Sequence, residues 1–295
     1  MTEHVPVLLT EILSYLRLHP SLERVLDCTL GLGGYSGAIL KEFSETSVIG
    51  IDRDTEAIAI AKMNLSAYGE RFIPLHGNFE FLGEVAQEFA PFDAILFDLG
   101  VSNLQISEGA RGFSFQSEGP LDMRMDPGAD LSASDIVNDF SEKEMTEIFF
   151  TYGEERYSRQ IARGIVRIRE KDGPFTTTTS LVEAIRKILP APVQRKMGGH
   201  PARRIFQALR IRVNEELSAL TGGLKEASAA GSQGALIAVV SYHSLEDRIV
   251  KHTFRDWQKE EFGKILTRRP LLPSVEEVDE NYKARSAKLR VFSVK

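Results

Sequence analysis

Cysteine is almost absent from this chain, and long apolar segments are absent altogether. The one cysteine, Cys28, excludes an intramolecular disulfide and a cysteine-rich zinc site. No apolar run in the sequence reaches the roughly 18 residues that are needed to span a bilayer. The N-terminus also lacks the basic segment and the apolar stretch of a signal peptide. These absences lead us to expect a reduced protein in the cytoplasm.

A general excess of basic residues is missing too, since the net charge is −6, and this argues weakly against a nucleic-acid partner. The charges are, however, unevenly distributed. Residues 108–155 hold 12 acidic and 3 basic side chains, whereas residues 156–212 hold 14 basic and 3 acidic ones. Such a basic segment could bind a phosphate backbone. Solvated helix faces that pair with the acidic segment would have the same composition.

The first hundred residues alternate short apolar segments with helical patterns, which is typical of successive βαβ units. Strands are predicted at 24–27, 47–51, 71–75 and 93–97, and helices at 34–43, 54–68 and 79–89. Residues 105–133 are rich in Gly, Ser, Pro and Asp and indicate a loop, while residues 134–198 predict helices only. This second segment therefore has the character of a helical insertion.

The α/β pattern returns near residue 199. A single long helix is predicted from Pro201, and a buried strand at 235–240. The sequence Ser244-Leu245-Glu246-Asp247 predicts a capping box at the start of a further helix. Residues 288–294 alternate like a final edge strand.

The chain is accordingly divided into three parts. Residues 1–104 are predicted to be the first part of an α/β core, and residues 199–295 its second part. Residues 105–198 are predicted to be an inserted loop and helical domain.

A glycine-rich turn follows the first predicted strand, which ends at Asp27. Glycines such as Gly31 and Gly33 let the backbone approach a ligand closely, because no Cβ atom is in the way. Asp52, about 20 positions beyond the glycines at the end of the second strand, suits two ribose hydroxyls. This combination predicts a nucleoside-containing cofactor. Each aspartate alone could instead be a local cap, Asp27 of the strand end and Asp52 of the next helix.

Two nucleoside cofactors compete for this turn. The dinucleotide fingerprint Gly-x-Gly-x-x-Gly requires glycine where the chain has Ser36, and Gly37 comes one residue too late. S-adenosylmethionine has no pyrophosphate to place at the helix N-terminus, so this spacing suits it better than NAD. Asp27 could also bind the ammonium group of its methionine part. The sequence favours S-adenosylmethionine and leaves NAD open.

A third carboxylate, Asp98, follows the fourth predicted strand. Parallel sheets bind ligands beyond the carboxyl ends of their strands, so Asp98 is expected where a methyl acceptor approaches. It could accept a hydrogen bond from an exocyclic N–H, while Ser102 or Asn103 positions the acceptor. His243 follows the strand at 235–240. It could move a proton or bind phosphate, or it could be a hydrogen-bonded histidine at a helix start.

Two kinds of chemistry are disfavoured. Methylation at carbon 5 of a pyrimidine requires a cysteine nucleophile, and Cys28 lies in the cofactor strand, where it is badly placed for attack. No histidine pair has the spacing of a metal site, so no catalytic metal is predicted. A nitrogen or oxygen acceptor is the better interpretation. Phe79, Phe113, Phe115 and Tyr242 could stack on a base, or could belong to the core.

Motifs along nearly the whole chain carry a family resemblance. They lie at residues 4–8, 27–34, 98–102, 111–115, 120–125, 200–204, 206–211, 241–248 and 285–290. Together they resemble the RsmH (MraW) family, bacterial methyltransferases of small-subunit ribosomal RNA. The resemblance implies an α/β fold, a Rossmann-like class I S-adenosylmethionine-dependent methyltransferase core with an inserted all-helical domain. It also implies methylation of the N4 amino group of a cytidine in the decoding region of 16S ribosomal RNA.

The resemblance implies individual cofactor contacts, and the positions and charges of further residues predict catalytic and RNA-binding roles. Cofactor contacts are expected from Gly33, Gly34, Tyr35 through its backbone N–H, Asp52, Phe79 against adenine, Asp98, and Gln105 near the methionine end, in addition to Asp27 and Gly31. Catalytic roles are expected for Asp98, Ser102 and His243. RNA contacts are expected from Arg111, Arg124, Arg195, Lys196, His200, Arg203, Arg204 and Arg210. The expected partner is 16S ribosomal RNA within an assembled small subunit or a late precursor, no membrane is involved, and a homodimer is left open.

Two other functions remain possible from the sequence. A small-molecule or NAD-linked enzyme would leave the basic segment unexplained. A ribosome-assembly factor without activity would bind RNA tightly and show no turnover, and the intact glycine turn argues against it.

Overall fold

The computed structural model of the chain describes residues 5–101 and 111–295. The chain divides into two compact units. The first comprises Met1–Gly100 and Leu217–Lys295, and the second comprises Val101–Glu216. No helix within the described residues is long and apolar enough to cross a membrane.

A seven-stranded sheet forms the centre of the first unit. Its strands are β1 (Arg24–Asp27), β2 (Ser47–Asp52), β3 (Phe72–His76), β4 (Phe92–Asp98), β5 (Gly231–Ser241), β6 (Gly263–Ile265) and β7 (Lys288–Val294). Their order is β3-β2-β1-β4-β5-β7-β6; the strands β1 to β5 are parallel, and β7 runs antiparallel to both of its neighbours. The predicted α/β sheet is confirmed. The prediction that residues 288–294 form an edge strand is wrong, because the short strand β6 pairs outside them.

Helices occur in both units. In chain order they are α1 (Leu9–Leu16), α2 (Gly34–Glu42), α3 (Thr55–Asn64), α4 (Leu82–Phe89), α5 (Ala133–Asp139), α6 (Glu142–Thr151), α7 (Ser158–Asp172), α8 (Thr178–Ile188), α9 (Ala191–Lys196), α10 (Arg203–Asn214), α11 (Glu216–Ala230), α12 (Ser244–Lys259) and α13 (Val275–Glu280). Short 3₁₀ helices occupy Ser66–Arg71, Phe79–Phe81 and Tyr282–Ser286. The helices α5 to α10 lie in the second unit.

Successive residues of the central strands pack into two separate apolar cores. Leu96 of β4 belongs to a core that includes Ile12 of α1 and Ile39 of α2. The next residue, Phe97, belongs to a core with Leu224 of α11. Successive strand residues point to opposite faces, so a sheet that is covered on both faces needs apolar residues throughout its strands. Polar side chains can therefore collect only at the strand ends.

The second unit has an apolar core of its own, built from helices. Ile136, Phe149, Ile161, Ile185 and Leu209 come from five different helices and are all fully buried. A Cβ atom at Gly164 of α7 would lie 2.4 Å from the side chain of Ile188 at the end of α8. Glycine at this position therefore lets the two helices approach closely.

The single long helix that was predicted from Pro201 is in fact two helices. Helix α10 ends at Asn214, and Glu215 adopts a left-handed conformation with φ of 50° before α11 begins. A residue with this φ cannot continue a right-handed helix. Ile205 and Leu209 of α10 pack in the core of the second unit. The chain consequently returns to the first unit at Leu217. The sequence pattern had placed this return at residue 199.

Candidate active site

Three carboxylates stand at the carboxyl ends of parallel strands in the first unit. Asp27 ends β1, Asp52 ends β2 and Asp98 ends β4. The strand β1 pairs with both β2 and β4, so the three ends are neighbours at one edge of the sheet. This is the edge at which open parallel sheets bind their ligands.

The glycine turn is tied to the end of the neighbouring strand. Gly31 and Gly33 have φ of +52° and +84°, a region that side-chain-bearing residues rarely adopt. The N–H of Gly31 donates a hydrogen bond of 2.7 Å to Oδ2 of Asp52. A Cβ atom at Gly34 would lie 2.8 Å from Pro6, so this glycine is also required by packing. The hydrogen bond and the close packing therefore restrain the turn at the start of α2.

Asp27 holds this turn from inside the protein. Its side chain is only 1% exposed. One carboxylate oxygen accepts from the N–H of Thr29 at 3.2 Å, and the other accepts from the hydroxyl of Ser36 at 2.7 Å. Burial raises the pKa of Asp27 to about 6. These contacts agree with the interpretation of Asp27 as a local cap, and its predicted contact with an ammonium group stays a prediction.

Asp52 is not the cap of the following helix. Asp54 has that role, because its side chain accepts hydrogen bonds from the N–H groups of Glu56 and Ala57. The two oxygens of Asp52 accept from the N–H groups of Asp54 and Gly31. The carboxylate is thereby fixed in orientation, and burial raises its pKa. The alternative in which Asp52 caps the helix is therefore wrong, while its contact with a ribose stays a prediction.

Asp98 is held by groups from two other parts of the first unit. Its backbone N–H donates to the hydroxyl of Thr29 at 2.6 Å. The hydroxyl of Tyr242 donates to its Oδ1 at 2.8 Å. Its Oδ2 has no hydrogen-bond partner among the described residues. Burial raises the pKa of Asp98 to about 7, and the charges of Asp27 and Glu246 act in the same direction.

The role that the structure gives Tyr242 was not predicted. From the sequence alone, this tyrosine could stack on a base or belong to the core. In the structure its ring packs against Gly100, where a Cβ atom would lie 3.3 Å from the ring, and its hydroxyl is bonded to Asp98. The aromatic character of the residue was visible in the sequence, but no local signal indicated its carboxylate partner.

His243 is the N-cap of α12, a position that the predicted capping box had given to Ser244. Its Nδ1 accepts from the N–H of Glu246 at 3.4 Å, and Glu246 in return accepts from the N–H of His243. Its Nε2 lies 3.1 Å from Oε1 of Glu246, but without the geometry of a hydrogen bond. The structure thus shows a histidine at a helix start, one of the two alternatives, and its catalytic role stays a prediction.

The two predicted aromatic cofactor residues differ in their exposure. Phe79 follows β3 and is partly exposed. It packs edge-on against Phe97, with 5.5 Å between the ring centroids, and the guanidinium of Arg53 lies 5.9 Å from the centre of its ring. Tyr35 is 5% exposed, and its hydroxyl donates to the carbonyl of Val7. Tyr35 could therefore contact a cofactor only through its backbone. Ser102 and Gln105 lie outside the described residues.

Several arginines that were expected to contact RNA have partners within the second unit. Arg124 binds Asp122 through two nitrogens, at 2.9 and 2.8 Å. Arg210 binds Glu216 in the same way, at 2.8 Å for both contacts. Arg111 and Arg204 each donate to a backbone carbonyl group. These four side chains connect parts of the fold, whatever else they do.

The other predicted RNA contacts are more accessible. Arg195, Lys196 and Arg203 are exposed and have no partner in the part of the chain that the structure describes. His200 stacks on Phe115, with 4.9 Å between the ring centroids and 19° between the planes. The sequence signal for these residues was the local density of basic charge. That signal cannot separate exposed arginines from paired ones.

The acidic strand ends suit a cationic ligand. The charged groups that act on Asp98 are Asp27 and Glu246, and both are acidic. S-adenosylmethionine carries a sulfonium and an ammonium group, so its charge is complementary to this set. Gly31, Gly33 and the backbone of Tyr35 would lie against the nucleoside, Asp52 against the ribose and Phe79 against the base. The residues that are present therefore fit this donor.

The sheet order, the antiparallel β7 and the glycine turn after β1 define a Rossmann-like methyltransferase. The model of the MraW methylase family matches residues 1–295, and the chain belongs to this family. It is 45% identical to Ribosomal RNA small subunit methyltransferase H of Carboxydothermus hydrogenoformans, over 97% of this chain and 96% of that protein. The family confirms the predicted enzyme class and the choice of S-adenosylmethionine over NAD as cofactor.

Solved structures with a similar fold are more distant. An rRNA methylase from Streptococcus thermophilus is 10% identical, with a TM-score of 0.47, over 99% of this chain and 98% of that chain. TrmN from Thermus thermophilus is 11% identical, with a TM-score of 0.46, over 97% of this chain and 49% of that chain. These likenesses carry no assignment of function.

Proposed function

We propose that this methyltransferase modifies the N4 amino group of a cytidine in the decoding region of 16S ribosomal RNA. The observation that carries the choice of acceptor is Asp98. One of its oxygens is bound by Tyr242, and the other has no partner among the described residues. A carboxylate in this state can accept a hydrogen bond from an exocyclic amine. The substrate class is supported by the relative in Carboxydothermus hydrogenoformans, whose name refers to small-subunit ribosomal RNA.

The chemistry requires alignment and a place for one proton. S-adenosylmethionine supplies the methyl group, and the electron pair of the broken carbon–sulfur bond stays on sulfur. The amine nitrogen forms the new bond to carbon and loses a proton to Oδ2 of Asp98. A hydrogen bond from the amine to this oxygen before transfer also orients the nitrogen lone pair, which contributes through positioning. Asp98 must be ionised for both roles.

Methylation at carbon 5 of a pyrimidine remains disfavoured by the structure. It would need a cysteine nucleophile next to the base. Cys28, the one cysteine of the sequence, is 2% exposed, and burial raises the pKa of its thiol. A buried thiol of this kind does not form the thiolate that attack requires.

Exposed basic side chains of the second unit could bind RNA. Arg195 and Lys196 follow each other at the end of α9, and Arg203 begins α10. Arg159, Arg163 and Arg167 follow each other at intervals of four on α7 and are all exposed, so they share one face of this helix. Of the three, Arg163 also pairs with Glu142 at 3.4 Å. Phosphate contacts from such residues bind RNA without reading its sequence. A ribosomal RNA substrate would place the protein in the cytoplasm, and the proposed function requires no homodimer.

The experiment is transfer of a labelled methyl group to ribosomal RNA that lacks the modification. Purified protein and labelled S-adenosylmethionine are incubated with assembled small subunits, with late precursors and with naked 16S RNA. We expect incorporation into subunits or precursors above that into naked RNA. Tight binding of the protein to subunits without any incorporation would favour a non-catalytic assembly factor and would contradict the proposal.

A further inference from the structure

The hydroxyl of Tyr242 and the carboxylate of Asp98 make a direct contact in the first unit. The donor and acceptor atoms are 2.8 Å apart, although the residues are 144 positions apart in the sequence. Asp98 has no other side chain as donor to its oxygens among the described residues. The rotamer of this carboxylate is therefore set by one hydrogen bond.

Tyr242 is fixed from both of its ends. Its backbone N–H donates to Oε2 of Glu246 at 2.8 Å. Its ring packs on Gly100, which has φ of +109°. Glycine adopts this φ easily and leaves space for the ring, because it has no Cβ atom. A tyrosine that is held in this way can impose its orientation on the group that it contacts.

The surroundings of Asp98 would otherwise favour its protonated form. Asp27 faces it from β1, Glu246 from α12, and the buried hydroxyl of Tyr35 lies near it on α2. Glu277 of α13 acts on the two tyrosines. Asp27 and Glu246 both raise the pKa of Asp98, as burial does, whereas the hydrogen bond from Tyr242 lowers it.

We propose that Tyr242 is a positioning residue of the methyl transfer. Its hydroxyl holds Oδ1 of Asp98 and stabilises the ionised carboxylate, so that Oδ2 is directed to the acceptor amine. The inference rests on the proposed function, because the amine is the group that Oδ2 would meet. It adds a residue that acts through Asp98 and need not touch the substrate.

The first test is the pH profile of kcat/KM for Tyr242→Phe, which keeps the ring on Gly100 and removes the hydroxyl. Loss of the hydrogen bond makes Asp98 harder to ionise. The acidic limb of the profile should therefore move to higher pH by roughly one unit, and activity should recover in alkaline solution. Tyr68→Phe is the matched control. It removes a hydroxyl that donates to the carbonyl of Gly37 at 3.5 Å and should leave the limb unchanged.

A second variant keeps the hydroxyl. Tyr242→3-fluorotyrosine, introduced at this one position, has a more acidic phenol and donates a stronger hydrogen bond. The acidic limb should then move to lower pH, opposite to its movement in Tyr242→Phe. A folded Tyr242→Phe protein with an unmoved limb, or equal movement in Tyr68→Phe, would overturn the proposal.

A third measurement needs neither RNA nor donor. Carbon-13 NMR of aspartate-labelled protein follows the titration of Asp98, whose resonance is identified by its loss in Asp98→Asn. We expect the midpoint to rise in Tyr242→Phe and to stay unchanged in Tyr68→Phe. If Tyr242→Phe has the same midpoint as a wild type that methylates RNA, the inference alone is refuted. If the midpoint rises in Tyr242→Phe but the wild type never methylates RNA, the proposed function is refuted instead.

Discussion

Charged residues have opposite situations in the two units. In the first unit, Asp98 lies among acidic groups and keeps one oxygen without a partner among the described residues. In the second unit, Arg124 and Arg210 are each bound by a carboxylate through two nitrogens. A charge that the fold does not compensate is available to a ligand, whereas a compensated charge mainly supports the fold. The partner of a charged side chain is thus a better guide to its role than its type.

The strongest test of this comparison is Asp98→Asn. The amide has nearly the same shape but cannot accept the proton of the amine, so methyl transfer should fall by about 10² to 10⁴-fold. Steady-state rates on small subunits, with circular dichroism to check the fold, provide the measurement. Asp256→Asn changes an exposed carboxylate that pairs with Lys259 and is the matched control. Full activity of folded Asp98→Asn would remove this residue from the mechanism.

The opposite behaviour is expected for Arg210→Ala. Its partner Glu216 has a side chain that is 10% exposed, and removal of the arginine leaves this carboxylate without its main counter-charge. The free energy of unfolding should fall by about 3 kcal/mol, as measured by urea denaturation. Arg212→Ala breaks a more exposed pair with Glu215 and should lower the free energy of unfolding by less than about 1 kcal/mol. Equal losses of unfolding free energy in the two variants would contradict the distinction between the more buried and the more exposed ion pair.

The stability of the protein without ligands should also depend on Asp98 and on pH. Its folded pKa of about 7 lies above the ordinary value of 3.8, so the folded state binds the proton more tightly than the unfolded state. The resulting contribution of Asp98 to the free energy of unfolding is complete below the pKa of the unfolded state. It is lost as the pH rises towards the pKa of the folded state.

Asp98→Asn has no such loss. Its melting temperature should therefore exceed that of the wild type at pH 8, by an amount that corresponds to on the order of 2 kcal/mol after allowance for partial exposure. The difference should shrink as the pH falls to 4. Thermal melts across this range give the measurement, and a difference that does not vary with pH would contradict the assignment of the titrating group.

The smallest effect is expected from Arg203→Ala. This exposed arginine has no partner in the described part of the chain, so the stability should stay within about 0.5 kcal/mol of the wild type. Affinity for RNA should fall by a few-fold. The slope of the logarithm of the binding constant against the logarithm of the salt concentration should become shallower by about one. Fluorescence anisotropy at several salt concentrations measures both. Unchanged affinity and slope would place the RNA surface elsewhere.

The sequence could predict those features that are encoded locally. The apolar runs that end in Asp27, Asp52 and Asp98 located three strands and the edge at which their carboxylates meet. The contact between Tyr242 and Asp98 could not be predicted in this way, because it joins residues from distant parts of the chain. The hydrogen bond from the hydroxyl of Ser36 to Asp27 joins residues only nine positions apart, but it depends on the conformation of the glycine turn between them and was not predicted either.

Two errors about the fold have similar causes. The apolar spacing of α10 continues into α11, so periodicity alone could not reveal the left-handed residue Glu215 between them. Strand β6 has only three residues and no alternating pattern of useful length. The sequence could not show that Asp122 and Glu216 neutralise Arg124 and Arg210, because charge counts carry no information about pairing.

The central claim is that Asp98 receives a proton from an exocyclic amine, and the identity of the methylated atom tests it most directly. Ribosomal RNA labelled by the purified protein is digested to nucleosides, and the labelled nucleoside is identified by chromatography and mass spectrometry. The account predicts that the label is found in N4-methylcytidine. Label in a 2′-O-methylated nucleoside or in 5-methylcytidine would contradict it, because neither product arises from an amine at Oδ2 of Asp98.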